Sequence, residues 1–259
     1  MKGSNTIRHH VVLQLVMAVV ALLLLPSSLT AITRRDADMA YKKANYQQAI
    51  TDYKTLLAQG KSAALYYNLG NSYYRSDSLA QAILAYERAA LLSPGDKDIN
   101  FNLQFARSKT IDKVTPEGEV IFVTWYRSLV NLTSADRWAV IGIVSVALAL
   151  VLMLVYLFTS RIGLRKMGFF GALAFLLLFG ASTLFAHTQK EAMMHRTGAI
   201  VIAPSAGVKK SPVKGAADDF VLHEGTRVEV TDGSIGSWRA IRLADGREGW
   251  LDASQIEMI

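Results

Sequence analysis

The stretch AALYYNLGNSYYRSDSLAQAILAYERAALLSPGD, residues 63–96, decides the fold of the N-terminal half of the chain. Tyr66, Leu69 and Tyr73 fall at helical spacing, and Gly70 beside them lets a neighbouring helix approach closely. A second helix carries small residues and an aromatic residue at the positions that would face the first helix, and a proline ends the unit. The stretch therefore predicts two antiparallel helices that interlock.

This helical unit occurs twice. Ala, Ile and Tyr of NYQQAITDY (45–53) recur in SLAQAILAY (78–86) at an offset of 33 residues. A period in the low thirties with two helices per unit indicates a stacked helical array. The second copy resembles a tetratricopeptide repeat, with that family's signature positions held by Tyr66, Leu69, Gly70, Tyr73, Ala82, Tyr86, Ala89 and Pro94. Residues 32–113 are thus predicted to form two repeats and a capping helix, Asp98 to Ser108.

A candidate partner-binding face lies on the other side of the first helix of the second copy. The resemblance implies that such positions line a concave groove, which holds an extended or helical peptide of a partner. The residues assigned to this groove are Tyr67, Asn68, Asn71, Tyr74, Arg75 and, on the capping helix, Asn102. A solvated face is the alternative for Asn68 and Asn71.

The N-terminus has the pattern of an export signal. Lys2 and Arg8 precede an apolar run from Val11 to Leu25, and small residues follow as far as Ala31. The run is shorter than the roughly 20 residues that a membrane span needs. Residues 1–31 are predicted to be a signal peptide, with an uncleaved anchor as the alternative.

Two long apolar segments predict a transmembrane hairpin, with helices at 134–159 and 167–187. The connecting loop, 160–166, contains Arg161, Arg165 and Lys166, which places it in the cytoplasm. Both flanking domains are therefore expected on the side of the membrane that faces away from the cytoplasm. The small residues of the spans are expected to be ordinary membrane-helix composition, because they form no clean small-xxx-small pair.

The segment before the first span is rich in apolar and aromatic residues but too short to cross a bilayer. Residues 114–133 are predicted to form an amphipathic helix on the membrane surface. Such a helix would hold the repeat domain close to the lipid.

Beyond residue 195 the pattern changes to short β-rich runs separated by glycine turns. Residues 195–259 are predicted to form a small all-β barrel of five strands, and HEGTRVEV (223–230) and DGREGWL (245–251) resemble a bacterial SH3-like domain. Trp238 and Trp250 are candidates for a ligand groove, although at least one of them is expected in the core. The expected fold class is thus a multidomain membrane protein with an all-α repeat domain, a two-helix hairpin and an SH3-like barrel.

Composition and motifs argue against several functional classes. Zero cysteines exclude thiol chemistry and thiolate metal sites, and the histidines have no ligand spacing, so neither a metal site nor a cofactor is expected. No nucleophile elbow, phosphate loop or dinucleotide fingerprint is present, which indicates a protein that is not an enzyme. The net charge of +7 is spread along the chain, so nucleic-acid binding is not expected either.

The order of elements over the whole chain resembles the BatE family of bacterial aerotolerance (Bat) operons. Its most specific parts are AALYYNLGNSYYRS (63–76), FVLHEGTRVEV (220–230) and DGREGWL (245–251). The resemblance implies an inner-membrane component that works with von Willebrand A-domain membrane proteins and a MoxR-type ATPase in envelope stress or aerotolerance. A scaffold is the favoured hypothesis, and a cell-wall sensor whose SH3-like domain binds peptidoglycan is the alternative.

Overall fold

The computed structural model describes residues 32–115, 118 and 121–259, with the backbone alone at 232–234. The predicted signal peptide, 1–31, lies outside the described residues. Residues 33–259 form one compact unit that contains a helical repeat region, two long apolar helices and a small antiparallel β domain. The predicted fold class is therefore confirmed.

The repeat region consists of two helical pairs and a fifth helix. These helices are α1 (Arg34–Lys42), α2 (Tyr46–Gln59), α3 (Ala63–Arg75), α4 (Leu79–Leu92) and α5 (Lys97–Arg107). A capping box between Thr33 and Asp36 begins α1, and the Asp96 carboxylate accepts two backbone N–H groups at the start of α5. Helices α1 and α5 thus begin where the sequence supplies a capping side chain.

Close packing within the second pair depends on Gly70. A Cβ atom at this position would lie 2.6 Å from ring carbons of Tyr86, so only glycine lets α3 and α4 approach this closely. In the first pair, Ala37, Ala49 and Tyr53 are almost fully buried in the corresponding positions. The weaker first copy therefore packs like the second, with alanine in place of glycine.

Three further helices follow: α6 (Ile121–Val130), α7 (Ala135–Phe158) and α8 (Ile162–Met194). Helices α7 and α8 are each long and apolar enough to cross a membrane. Helix α8 is longer than the predicted span 167–187 at both ends, because the residues flanking that span are good helix formers. The predicted loop at 160–166 therefore shrinks to three residues, and Arg165 and Lys166 lie in the first helical turns of α8.

Small residues bring α7 and α8 into close contact. A Cβ atom at Gly142 would lie 3.0 Å from Ser182 Oγ, and one at Gly168 would lie 2.8 Å from the Leu152 carbonyl oxygen. Ser145 is also buried. The expectation that these small residues are ordinary composition is wrong for Gly142 and Ser145, which lie where the two helices pack, whereas a Cβ atom at Gly180 would meet no atom within 4 Å.

The β domain has seven antiparallel strands in the order β3-β2-β6-β5-β4-β1-β7. The strands are β1 (Gly198–Val201), β2 (Ser205–Lys209), β3 (Asp218–His223), β4 (Arg227–Ile235), β5 (Trp238–Arg242), β6 (Glu248–Asp252) and β7 (Ile256–Met258). The prediction of five strands is wrong. The sequence of β2 has low β propensity and β7 has three residues, so these strands are defined by their pairing, β2 with the next strand β3 and β7 with the distant β1.

The β domain packs against the repeat region through its strand β1 and its last residues. Ile200 and Ile259 are buried together with Ile83, Tyr86 and Leu103 in one apolar cluster. The other inward side chains of the β domain form a separate core. The contact surface is therefore a true hydrophobic interface between regions that are separated in sequence by both apolar helices.

Candidate functional site

A pocket of about 370 Å³ lies between the first helices of successive pairs. Helices α1, α3 and α5 each contribute side chains, and α4 contributes one residue to the floor. The lining residues are Tyr41, Asn71, Tyr74, Arg75, Tyr86, Phe101, Asn102 and Phe105. Because all three first helices border it, the pocket belongs to the groove that the array predicts, and we call it the repeat groove.

A hydrogen-bonded network forms the floor of the repeat groove. Asn71 Oδ1 accepts hydrogen bonds from the Tyr86 hydroxyl at 2.7 Å and from Asn102 Nδ2 at 3.0 Å. The Asn102 amide also donates to the Tyr67 hydroxyl at 3.0 Å. Burial raises the pKa of Tyr86, which keeps its phenol protonated and able to donate. The floor is therefore a fixed polar surface that joins α3, α4 and α5.

One wall of the repeat groove is aromatic and exposed. Phe101 and Phe105 of α5 stack with ring centroids 6.4 Å apart, and the Tyr74 ring lies 5.8 Å from that of Phe105. The residue Phe101 is 68% exposed and Phe105 is 45% exposed. Large apolar side chains exposed within a concavity mark sites that bind a partner or ligand.

Two cations lie on the rim of the repeat groove. The Arg75 guanidinium lies 5.4 Å from the Tyr46 ring centroid, and Lys109 Nζ lies 5.0 Å from that of Phe105. In the described parts of the chain, neither side chain has a carboxylate within 4.0 Å. The rim therefore combines positive charge with aromatic surface.

The structure brings four of the predicted groove residues to the pocket: Asn71, Tyr74, Arg75 and Asn102. Tyr67 is partly buried beside it, with its ring 6.0 Å from that of Tyr86. Asn68 instead donates a hydrogen bond to Asp38 Oδ1 at 3.2 Å, away from the pocket. Asn68 thus links α3 to α1.

Sequence analysis missed the aromatic wall. On α5 the buried residues are Ile99, Leu103 and Ala106, and Phe101 and Phe105 project on another face. An array cap is expected to have a polar outer face. The signal in the sequence is a pair of phenylalanines four residues apart that lie outside the buried stripe. Such a pair indicates that this helix contributes to the groove as well as closing the array.

The two tryptophans of the β domain lie on the face of the sheet opposite to its core. In the strand register, Trp238 is opposite Asp252 and Trp250 is opposite Ala240. Their neighbour Leu251 points to the core, so alternation turns both indole rings outward, where they are partly exposed. The prediction that at least one tryptophan belongs to the core is wrong.

Polar contacts reinforce the interface between the β domain and the repeat region. The Arg88 guanidinium donates to Glu257 Oε1 at 3.0 Å and to the Met258 carbonyl oxygen at 2.5 Å. The buried Glu87 carboxylate pairs with Arg107 of α5 and, at 3.5 Å, with Arg227 of β4. The charges of this interface therefore have partners within the chain.

Asp112, which follows α5, binds the far edge strand of the β domain. Its carboxylate accepts hydrogen bonds from the His223 N–H at 2.6 Å and from the Thr226 hydroxyl at 2.7 Å, and it lies 2.9 Å from His223 Nδ1. Burial acts to raise the pKa of Asp112, but these bonds outweigh it and hold the pKa below its ordinary value. The segment that follows α5 is thus bonded to the end of this edge strand and to the turn after it.

These contacts define the chain as a helical-repeat protein with two potential membrane spans and a β domain packed on the repeats. The tetratricopeptide repeat family matches residues 63–96, the second helical pair together with its closing turn. A comparison with curated proteins finds no match. The chain therefore contains a tetratricopeptide repeat, a scaffold module that indicates a role in binding other proteins.

Proposed function

We propose that this protein is a non-enzymatic adaptor of the bacterial inner membrane that binds a protein partner in its repeat groove. The observation that carries the proposal is the exposed pair Phe101 and Phe105 beside a floor whose polar groups already bond to one another. Such a floor holds the aromatic wall in place before a partner arrives. Preorganisation of this kind lowers the entropic cost of binding.

Membrane anchoring would keep the groove close to the lipid surface. Tyr126 of α6 bonds to Thr188 near the end of α8, and the Trp138 indole donates to the Val130 carbonyl oxygen at 2.9 Å. Aromatic side chains of this kind suit the lipid–water boundary. The exposed apolar residues of α6, Ile121, Phe122 and Trp125, would enter the same boundary, as expected of a surface helix at 114–133.

The two apolar helices separate the repeats from the β domain in sequence, yet the β domain packs on the repeats. This contact supports a location of both folded regions on the same side of the membrane. Arg161, Arg165 and Lys166 lie at the opposite end of the hairpin. By the positive-inside rule that end is cytoplasmic, so the two folded regions face the periplasm.

Labelling of single cysteines tests this orientation, because the natural chain has none. The variants Gln59→Cys, Ala217→Cys and Ser160→Cys place a thiol on the repeats, the β domain and the hairpin connection. A membrane-impermeant maleimide should label the first two in intact spheroplasts and Ser160→Cys only after lysis. The reverse pattern would contradict the periplasmic orientation, and unequal labelling of the first two would contradict a shared side.

The resemblance to the BatE family leads us to propose von Willebrand A-domain membrane proteins as partners. They would act with a MoxR-type ATPase in an envelope stress or aerotolerance complex. A groove fixed near the membrane suits partners that are anchored there themselves, because a shared membrane raises their effective concentration.

Affinity purification tests the adaptor role. The tagged full-length chain is purified in mild detergent, and its partners are compared with those of the double variant Tyr74→Ala/Phe105→Ala. The matched control, Val213→Ala/Val221→Ala, removes exposed apolar side chains from the β domain. Loss of partners from the groove variant alone is the expected result, and equal recovery from all three chains would refute the groove as the binding site.

A second candidate function is the binding of peptidoglycan by the β domain. The observation in its favour is that Trp238 and Trp250 share the outer face of the sheet, since indole rings are frequent anchors at binding surfaces. Retention of the full-length protein on purified peptidoglycan, lost in Trp238→Ala/Trp250→Ala, is the expected result for a cell-wall sensor. Equal retention of both chains would exclude this face.

A further inference from the structure

The repeat groove has a distribution of charge that selects among possible partner segments. Tyr67 contacts Asn102, and further along both helices Tyr74 contacts Phe105, so α3 and α5 run in the same direction. Their C-terminal ends, with Arg75 and the following Lys109, are therefore at the same end of the groove. Both cations touch aromatic rings and lack a carboxylate among the described residues.

Of the eight carboxylates in residues 32–113, five accept a hydrogen bond or an ion pair from a group outside the groove rim: Asp38, Asp52, Glu87, Asp96 and Asp112. Among the described residues no carboxylate lies within 4.0 Å of Arg75 or Lys109, so the rim is positive at this end, next to the aromatic wall. Cations held over aromatic rings are pre-positioned for an incoming anion, since their side chains are already partly ordered.

We propose that the repeat groove binds an acidic segment of a protein partner that carries one large apolar side chain. The apolar side chain packs against Phe101 and Phe105, and the neighbouring carboxylates pair with Arg75 and Lys109. The Asn71 and Asn102 amides fix the floor between these two regions. This inference rests on the proposed function, because it presumes that the groove binds a partner segment.

Cations at helix C-termini also stabilise the helix that carries them, so the test must separate stability from recognition. We would select a phage-displayed library of random twelve-residue peptides on the detergent-solubilised full-length protein. The parallel selection uses Arg75→Gln/Lys109→Gln. The control, Lys61→Gln/Lys97→Gln, loses the same two charges at exposed positions away from the pocket.

The expected result is that peptides selected on the natural protein combine Asp or Glu with a large apolar residue. The two residues should lie within one helical turn of each other, or two positions apart in an extended peptide. Enrichment of acidic residues should vanish on the groove variant and persist on the control. For a selected peptide, the dissociation constant should rise about tenfold on the groove variant, as two exposed ion pairs allow. The melting temperatures of the three chains are compared, and equal values would show that the substitutions leave the fold intact.

Two different outcomes would overturn two different statements. Apolar peptides without acidic enrichment, sensitive to Phe101→Ala/Phe105→Ala, would refute the charge selectivity and leave the groove as a binding site. Peptides that bind the phenylalanine variant as well as the natural chain, or no enrichment at all, would refute the proposed function together with this inference.

Discussion

The two sides of the second repeat differ in how far their apolar side chains are buried and in whether their charged side chains are paired. On the side of the β domain, Ile200 is fully buried against the repeats and Arg88 pairs with Glu257. On the groove side, Phe101 of the adjacent α5 remains 68% exposed and the Arg75 guanidinium lies 5.4 Å from the Tyr46 ring centroid. One helical pair thus supports an interface within the chain and leaves an open surface on its other face.

Tyr86 contributes to both sides. Its ring packs in the apolar cluster with Ile200, and its hydroxyl donates to Asn71 in the groove floor. A change in the interface with the β domain therefore reaches the groove through one side chain. The predictions below separate the two sides, from the largest expected effect to the smallest.

Truncation of Ile200 should have the largest effect. Ile200→Ala leaves a cavity in the cluster between the β domain and the repeats, and should destabilise their association by about 2–4 kcal/mol. Amide hydrogen exchange of the full-length protein in detergent should show loss of protection in α4 and β1. The control Ile235→Ala removes an exposed isoleucine of the same domain and should change stability by less than about 0.5 kcal/mol. Equal effects of both variants would show that the interface contributes little.

A methyl group at Gly70 should disturb the groove floor. Gly70→Ala gains up to about 1 kcal/mol of helix propensity, but the new Cβ would lie 2.6 Å from the buried Tyr86 ring. The hydroxyl of this ring is hydrogen-bonded, so it has little freedom to move, and a net loss of about 1–2 kcal/mol is expected from overpacking. Thermal unfolding measures it, with Gly60→Ala, which meets no atom within 4 Å, as the control. A stabilised Gly70→Ala protein would contradict the close helix packing.

The repeat itself could be predicted because its information is local. Gly70 and Tyr86 lie in one 34-residue pattern, and the spacing alone indicates which faces of α3 and α4 meet. The same holds for the apolar lengths of α7 and α8. Asn71 lies in that same pattern, whereas Asn102, Phe101 and Phe105 lie on the next helix, for which the sequence predicts a cap.

The β domain and its docking could not be predicted in the same detail. The partners Arg88 and Glu257 are 169 residues apart, and no local pattern indicates that they meet. Strand β7 is defined by its pairing with the distant strand β1, and β2 pairs with β6 as well as with the neighbouring β3. The side of the sheet on which Trp250 lies depends on the register between β5 and β6. Pairing between strands, which no local pattern shows, therefore accounts for the errors in strand number and in the position of the tryptophans.

Acid should weaken the contact between Asp112 and the β domain. The pKa of Asp112 is lowered in the folded protein, so its contribution to stability is present above the ordinary value of about 3.9 and is lost as pH falls through the folded pKa. Hydrogen exchange of strand β3, followed from neutral to acidic pH, measures this loss. Because other carboxylates titrate in the same range, the comparison is with Asp112→Asn, which should lack this component. Parallel pH profiles for the two chains would show that Asp112 does not contribute.

The pair Arg88–Glu257 should have the smallest effect, although it joins two regions far apart in sequence. The side chains of Arg88 and Glu257 are 27% and 41% exposed, and exposed ion pairs contribute about 0.2–1 kcal/mol. A double-mutant cycle with Arg88→Gln and Glu257→Gln isolates this coupling from the bond that Arg88 makes to the Met258 carbonyl oxygen. The cycle on Arg242 and Glu248, an exposed pair within the β domain, should give a similar value. A coupling well above 1 kcal/mol would mean that charge, rather than the buried isoleucines, holds the β domain on the repeats.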